Sequence, residues 1–472
     1  MKSKGHTALY IVLGIIICLT GAFFIMGKDT FVSFITENSV YKFLEGKKED
    51  TSAVGSLYDK NSKPFESDSL TALSIEKLRE MVIPIEFPDD NHSVLTSFIS
   101  SLDDSRTSPI RILHYGDSQI EGDRITTYFR SRLQKQYGGG GVGFISPGPN
   151  TGYASHTITT SENAKWVTIY AGGKKGFGDS RFDYPGSFIR FDKVATETGD
   201  SICKGLINIT IAKSARDYHR VRLLSGNNKS VVNVTVTADG EAVDNFLLLP
   251  ITGYRTNEWK FEKAPAHLSF SFNGQDSPDI SGILLDDENG ISVDNIPQRG
   301  SFGLEFTRLN EANYSNRVNL LGVKLILLQY GVNAVPVPSQ NETAVENWCY
   351  QSMMKIRKMA PGVPLIMLGV SDVDQKKGDS LVTNPNVEVI REAQRKAAFR
   401  AGCAFWDVFK AMGGRNSMAA WVAHNPELGT PDYIHFTPAG ANLIAEMFYR
   451  ALLLEIYNQQ AKSDASSSQV NR

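Results

Sequence analysis

The sequence predicts an α/β protein built on a parallel sheet, with an inserted antiparallel β-sandwich and an N-terminal transmembrane helix. Near-continuous apolar runs such as 323–329 and 364–370 alternate with helical patterns, as expected of strands covered on both faces. Between residues 151 and 285, alternating apolar and polar residues are separated by Gly, Asn and Asp turns, which is typical of a sandwich. Residues 8–26 form one apolar run.

The apolar run at residues 8–26 is about nineteen residues long, which is sufficient to cross a hydrocarbon core. It lacks a clean Ala-x-Ala, so residues 1–27 are interpreted as an uncleaved anchor, with a cleaved signal peptide as the alternative. Lys2 and Lys4 precede the run, which favours a cytoplasmic N-terminus. We therefore expect a single-pass inner-membrane protein with a periplasmic catalytic domain, joined to its anchor by a polar tether at 28–74.

Composition limits the classes of function. The 472 residues suffice for two or three domains, and a net charge of −2 argues against a nucleic-acid partner. Outside the apolar run, Cys203, Cys349 and Cys403 have no metal-ligand spacing. We expect buried free thiols, with one disulfide as the alternative, and we predict neither a metal nor a cofactor.

The first reactive candidate is Ser118, in the stretch Gly116-Asp117-Ser118. An apolar strand pattern ends at this stretch, and a helical pattern begins at Ile125 with Asp123 as a predicted N-cap. The carboxyl end of a parallel strand is where such folds collect ligands. An ordinary polar turn is the alternative, because the three residue types are common in turns.

The second candidate pair is Asp432 and His435, three residues apart on a short loop before the last helix. Thr437 is predicted to cap that helix and Pro438 to begin it. A serine nucleophile needs a base within hydrogen-bond reach and a third group that fixes the tautomer of that base. Ser118, His435 and Asp432 supply these three types. His114, inside a strand pattern, and His424 are weaker candidates for the base, and we predict a structural role for His114.

These stretches resemble the four sequence blocks of SGNH or GDSL-type hydrolases. The second block falls at Asn295–Ser301 and the third at Gly331-Val332-Asn333. Within that superfamily, residues 116–123 and 138–144 look most like periplasmic peptidoglycan O-acetylesterases and O-acetyltransferases. The resemblance covers roughly 108–150 and 285–455.

The resemblance implies a three-layer catalytic domain at 75–150 and 286–458 and a carbohydrate-module-like insertion at 151–285. The polar, serine-rich composition of residues 459–472 predicts a disordered tail. It also implies an oxyanion hole formed by the backbone N–H groups of Ser118 and Gly300 and the side-chain amide of Asn333. Four polar residues near these blocks are predicted to help bind substrate: Asp117, Gln119, Ser371 and Asp372.

The expected activity is removal of O-acetyl groups from cell-wall or other polysaccharide through an acyl-enzyme on Ser118. Two alternatives remain open at this point: an O-acetyltransferase that uses the same residues, and a non-catalytic glycan-binding or scaffold protein. The subfamily resemblance also suggests a membrane-bound O-acyltransferase as a partner. In the insertion, five aromatic residues are candidates for stacking on sugar rings, with a place in the sandwich core as the alternative for each: Trp166, Tyr170, Tyr184, Tyr218 and Trp259.

Overall fold

The computed structural model describes residues 78–147, 155–160, 166–170, 181–195, 201–338, 341–378 and 380–470. The predicted anchor at 1–27 and the tether at 28–74 lie outside these residues. Within the described part of the chain, no helix has both the length and the apolar character needed to cross a membrane.

The elements are numbered in chain order over the described residues. The strands are β1 (Pro109–Gly116), β2 (Gly143–Ile145), β3 (His156–Thr160), β4 (Trp166–Tyr170), β5 (Ser187–Phe191), β6 (Lys193–Ala195), β7 (Ser201–Ile211), β8 (Arg220–Gly226), β9 (Val232–Ala238), β10 (Glu241–Leu248), β11 (Tyr254–Lys260), β12 (His267–Gly274), β13 (Asp279–Asp286), β14 (Gly290–Pro297), β15 (Val323–Gln329), β16 (Leu365–Leu368), β17 (Asp374–Lys377), β18 (Ser380–Thr383) and β19 (Ala404–Trp406). The helices are α1 (Thr96–Ser101), α2 (Thr126–Tyr137), α3 (Glu311–Leu321), α4 (Glu342–Met359), α5 (Asn386–Arg400), α6 (Val408–Met412), α7 (Ser417–Ala423) and α8 (Pro438–Val470).

A parallel sheet in the order β14-β1-β15-β16-β19 forms the centre of the predicted catalytic domain. Its middle strands are buried almost throughout, because helices cover both faces. One face packs against α1, α2 and α8 through residues such as Phe129 and Phe448. The other packs against α3, α4 and α5 through residues such as Met353 and Ile390. The predicted α/β class with three layers is confirmed.

Two antiparallel sheets form the inserted sandwich, also as predicted. One has the order β10-β9-β12-β7-β3 with β6 beside β7, and the other has the order β11-β8-β13-β5-β4 with β2 beside β13. In β9, buried residues alternate with half-buried ones, so one face of the strand meets the facing sheet. Because β2 begins at Gly143, this sheet takes a strand from before residue 151.

The aromatic candidates for sugar stacking are core residues wherever their side chains are described. Tyr218 and Trp259 lie in the sandwich core, and Tyr184 lies in the apolar cluster shared with the parallel sheet. Tyr184 and Tyr218 are fully buried and Trp259 is 9% exposed, so none of the three offers a ring face to a glycan. The side chains of Trp166 and Tyr170 lie outside the described residues.

A buried charge network joins the sandwich to the parallel sheet. Arg111 of β1 pairs with Asp286 of β13 and with Asp294 of β14, and all three side chains are almost fully buried. Asp286 also pairs with Arg220 and Arg222 of β8. The two units therefore share a charged seam as well as an apolar core.

The last helix is longer than the sequence suggested. Residues from 459 onward are polar, and we predicted a disordered tail there, but α8 continues to Val470. Gln459 Nε2 donates to the His92 carbonyl at 2.7 Å, and Thr96 Oγ1 donates to Gln459 Oε1 at 2.9 Å. These two contacts tie residue 459 to the segment before β1, and disorder of the tail beyond it stays a prediction.

The three cysteines of the described chain are buried and form no disulfide: Cys203, Cys349 and Cys403. Burial raises the pKa of the Cys403 thiol to about 12, so this thiol stays protonated at neutral pH.

Candidate active site

The turn after β1 presents Ser118 at the carboxyl edge of the sheet. Gly116 is required at the end of the strand, because a Cβ there would lie 2.8 Å from the Gln329 carbonyl oxygen. The helix that follows begins later than predicted. Asp123 pairs with Arg130 at 2.8 Å instead of capping the helix, and α2 starts at Thr126. The N-terminus of α2 is therefore separated from Ser118 by a short 3-10 turn at Glu121–Asp123.

The other end of the chain brings His435 to this serine. Ser118 Oγ lies 2.8 Å from His435 Nε2, and His435 Nδ1 lies 2.7 Å from Asp432 Oδ2. The three residues therefore form one hydrogen-bonded chain. Ser118 is only 8% exposed, so little water can reach its hydroxyl group at the carboxyl edge of the sheet.

Asp432 is held by four donors. Its Oδ1 accepts from Thr430 Oγ1 at 2.6 Å, from the Ile434 N–H at 2.9 Å and from the His435 N–H at 3.0 Å. Partial burial acts to raise the pKa of the carboxyl group, but these hydrogen bonds and the one from the imidazole lower it well below its usual range. Asp432 is therefore charged at neutral pH and fixes the orientation of the ring.

The start of the last helix matches the prediction. Helix α8 begins at Pro438, and Thr437 Oγ1 accepts from the Gly440 N–H at 3.2 Å. Since His435 lies only three residues before Pro438, the cap helps to fix the loop that carries the histidine.

Three N–H groups are predicted to form the oxyanion hole. Among the described residues, the backbone N–H groups of Ser118 and Gly300 have no acceptor. The amide of Asn333 donates one hydrogen to the Ser301 carbonyl at 3.0 Å, which leaves its second hydrogen without an acceptor among those residues. The Gln298 N–H donates to the Gly116 carbonyl at 2.8 Å, so the Gly300 loop lies beside the turn that carries Ser118. These donors can meet a developing oxyanion without first breaking bonds to the protein.

A carboxylate that sequence reasoning missed supports this loop. Glu305 accepts from Ser301 Oγ at 2.5 Å and from Tyr330 Oη at 2.8 Å. It thereby joins the Gly300 loop to the strand end that carries Asn333. A glutamate in a polar turn gives no sequence signal for such a role.

The four residues predicted to bind substrate are all at most 3% exposed: Asp117, Gln119, Ser371 and Asp372. Asp117 accepts from the N–H groups of Gln119 at 3.0 Å and Gly331 at 3.3 Å, and burial raises its pKa to about 7 against the effect of these bonds. Asp372 accepts from the Met418 N–H at 2.9 Å. Their side chains are enclosed by protein and hold loops together, and their contact with substrate stays a prediction.

The other two candidate histidines, His114 and His424, have hydrogen-bond partners other than Ser118. His114 is buried, with Nδ1 2.9 Å from Thr126 Oγ1 and Nε2 3.1 Å from Gln329 Oε1. Burial lowers the pKa of His114 to about 4, so its imidazole is neutral at pH 7 and forms part of the buried core. His424 Nδ1 lies 2.7 Å from the carbonyl oxygen of Pro426. Within the described ranges, no group of three or more His, Cys, Asp or Glu side chains is arranged to hold a metal ion.

Comparison with solved structures shows the fold of an esterase. The chain is similar to a peptidoglycan O-acetylesterase with a TM-score of 0.60 and 22% identity, over 78% of this chain and 98% of that one. An acetyl xylan esterase gives a TM-score of 0.27 with 16% identity, over 34% of this chain and 81% of that one. A family two carbohydrate esterase from Clostridium thermocellum, in complex with cellohexaose, gives 0.26 with 9% identity, over 62% and 99%.

The last two TM-scores are too low to bear on the fold. No family model matches the chain, and no curated protein matches it. The fold is therefore that of the peptidoglycan O-acetylesterase, and the resemblance drawn from the four sequence blocks is confirmed at the level of the fold.

Proposed function

We propose that this protein is a serine esterase that removes O-acetyl groups from a glycan, with Ser118 as nucleophile, His435 as general base and Asp432 as the group that orients it. The observation that carries the proposal is the hydrogen-bonded chain from Ser118 Oγ through His435 to Asp432. A nucleophile, a base and an orienting carboxylate in this order are the requirements of acyl transfer through serine.

In the first half of the reaction, His435 Nε2 takes the Ser118 proton while Oγ attacks the acetyl carbonyl carbon. The carbonyl oxygen becomes negatively charged and is stabilised by the Ser118 and Gly300 N–H groups and the Asn333 amide. The tetrahedral intermediate then collapses. The sugar oxygen leaves with the proton from His435, and the acetyl group stays on Ser118.

In the second half, His435 removes a proton from a water molecule that attacks the acetyl group. Acetate leaves and Ser118 regains its proton. If a glycan hydroxyl attacks in place of water, the same residues transfer the acetyl group to a new sugar.

The likeness in fold to a peptidoglycan O-acetylesterase supports an O-acetylated glycan as substrate, with peptidoglycan as the first choice. We propose that residues 8–26 anchor the chain in the inner membrane and that the catalytic domain is periplasmic, where such a glycan is found. A membrane-bound O-acyltransferase that supplies the O-acetyl groups is the proposed partner.

The test uses the full-length chain and its Ser118→Ala variant. Acetate release is measured from p-nitrophenyl acetate and from O-acetylated peptidoglycan, with and without a glycan acceptor. Release to water that needs Ser118 supports the esterase, whereas transfer of acetyl groups to the acceptor supports the transferase. If folded wild type and variant behave alike with both substrates, the proposal is wrong and the glycan-binding alternative replaces it.

A further inference from the structure

The two halves of the site come from opposite ends of the chain, 317 residues apart. A hydrogen bond of 2.8 Å between Ser118 Oγ and His435 Nε2 therefore needs direct contacts between the nucleophile turn and the histidine loop. Two side chains make them. Gln119 Nε2 donates to the Ile434 carbonyl at 2.7 Å, and Arg124 Nη1 donates to the Phe436 carbonyl at 3.3 Å.

We propose that Gln119 and Arg124 form a histidine clamp, which binds the carbonyl groups on both sides of His435 and so positions its ring against Ser118. The inference rests on the proposed function, since it assigns two positioning residues to that same site. Neither side chain is given contact with the substrate. Each acts through the backbone of the loop that carries the base.

Gln119 is suited to this role by its rigidity. Its side chain is 2% exposed, and the same Nε2 that donates to Ile434 also donates to Ser371 Oγ at 3.0 Å. Its backbone N–H donates to the Asp117 carboxylate. With both the backbone and the side chain fixed, the amide holds the Ile434 carbonyl at a constant distance from the residue next to the nucleophile.

Arg124 connects the same two segments on the other side. Besides the Phe436 carbonyl, its guanidinium donates to the carbonyls of Ser118 at 2.6 Å and Glu121 at 2.7 Å. A planar guanidinium can donate in several fixed directions at once, whereas the ammonium group of lysine is compact and cannot span these three oxygens in the same way. One charged group therefore ties the nucleophile's own carbonyl to the residue that follows the base.

The consequence for catalysis is geometric. A displacement of about 1 Å at the reacting groups is sufficient to cost about 100-fold in rate. If either carbonyl is released, His435 can move away from Ser118 while the folded core is kept. Loss of a clamp residue should therefore lower kcat and leave KM nearly unchanged, because substrate contacts stay in place.

The experiment compares Gln119→Met and Arg124→Lys in the full-length chain. Gln134→Met is the matched control for the first, because Gln134 also donates to two backbone carbonyls, those of Gly141 and Ile291, away from His435. Arg216→Lys is the control for the second, because Arg216 donates to the Ile211 carbonyl in the sandwich. Hydrolysis of p-nitrophenyl acetate is measured for all four variants and for each clamp variant combined with His435→Ala.

The clamp predicts a fall in kcat of about 10- to 100-fold for each clamp variant, with KM within about twofold of wild type, and changes below about twofold for the controls. In the His435→Ala background, the clamp variants should lower the residual rate no further. The clamp proposal is overturned if the clamp variants change kcat no more than their controls do. It is also overturned if a clamp substitution lowers the residual rate of His435→Ala by the same factor by which it lowers kcat in the wild-type background.

Hydrogen exchange at residues 430–437 separates this inference from the proposed function. The Thr430, Tyr433 and Thr437 N–H groups donate to backbone carbonyls there, at 2.8, 3.0 and 3.0 Å. Clamp variants should exchange faster in this segment than wild type and controls. If wild type shows no hydrolysis that depends on Ser118, the proposed function fails. The exchange result alone then tests whether Gln119 and Arg124 hold the loop that carries His435. Unchanged exchange in the clamp variants then refutes it.

Discussion

Replacing Asp432 with Asn isolates the role of the carboxylate while keeping its loop. Oδ1 of the asparagine can still accept from Thr430 Oγ1 and from the Ile434 and His435 N–H groups, so the loop should stay folded. The other oxygen, which lies 2.7 Å from His435 Nδ1, becomes an NH₂ group. Two donors would then face each other. The imidazole escapes this by moving its proton to Nε2, and in that tautomer it cannot accept the proton of Ser118.

The expected loss follows from this change of tautomer. We expect kcat/KM to fall about 10³- to 10⁴-fold, the size of effect seen when the orienting carboxylate of a serine triad becomes an amide. At about 1.36 kcal/mol for each factor of ten, this is about 4 to 5.5 kcal/mol of transition-state stabilisation.

The assay is steady-state hydrolysis of p-nitrophenyl acetate by wild type and Asp432→Asn, with thermal unfolding as the control for folding. The variant should unfold close to the wild-type temperature. A folded variant that retains more than about a tenth of the wild-type kcat/KM would refute the assignment of Asp432 as the orienting group, because a wrong tautomer cannot support that rate.

Two further predictions concern stability. Arg111→Met should lower the free energy of unfolding by about 3–5 kcal/mol in urea titrations, because it leaves Asp294 buried without its ion-pair partner. The control is Arg299→Met, which should have little effect, because the Arg299 side chain is 77% exposed in its pair with Glu121. Equal effects of the two substitutions would contradict the role of the buried seam. His114 has a folded pKa of about 4, below its ordinary 6.5, so the unfolded state binds more protons between these values and stability falls as the pH drops from 6.5 to 4. His114→Gln removes the imidazole, so the variant should lack about 3 kcal/mol of this loss of stability, at 1.36 kcal/mol for each unit of pKa shift. Parallel curves of unfolding free energy against pH for wild type and variant would contradict the prediction.

The sequence was sufficient for the parts of the fold that depend on local periodicity. Continuous apolar runs predicted the parallel strands and alternation predicted the sandwich, because burial on two faces or on one leaves a direct mark on residue order. Thr437 and Pro438 predicted the start of α8, since capping depends on residues next to each other in the chain.

Features set by the choice of side-chain partner were predicted poorly. Asp123 has the residue type of an N-cap, but it pairs with Arg130 instead. The polar residues from 459 onward looked disordered, and the contacts of Gln459 with His92 and Thr96 could not be foreseen.

The candidate site shows the same division. Residue types and spacing indicated Ser118, Asp432 and His435, and the structure brings them into one hydrogen-bonded chain. Gln119 and Asp372 were predicted to bind substrate because they are polar and adjoin strand ends, yet both are buried. A sequence shows that a polar residue lies near the site, but the side to which it turns depends on partners elsewhere in the chain.

The most direct test of the central claim is to trap the acyl-enzyme. Wild type and His435→Ala are mixed with p-nitrophenyl acetate, quenched with acid during turnover and analysed by peptide mass spectrometry. The proposed mechanism predicts one acetyl group on Ser118 in wild type and little or none in His435→Ala. Turnover in wild type with the acetyl group on another residue, or labelling of Ser118 that does not depend on His435, would contradict it.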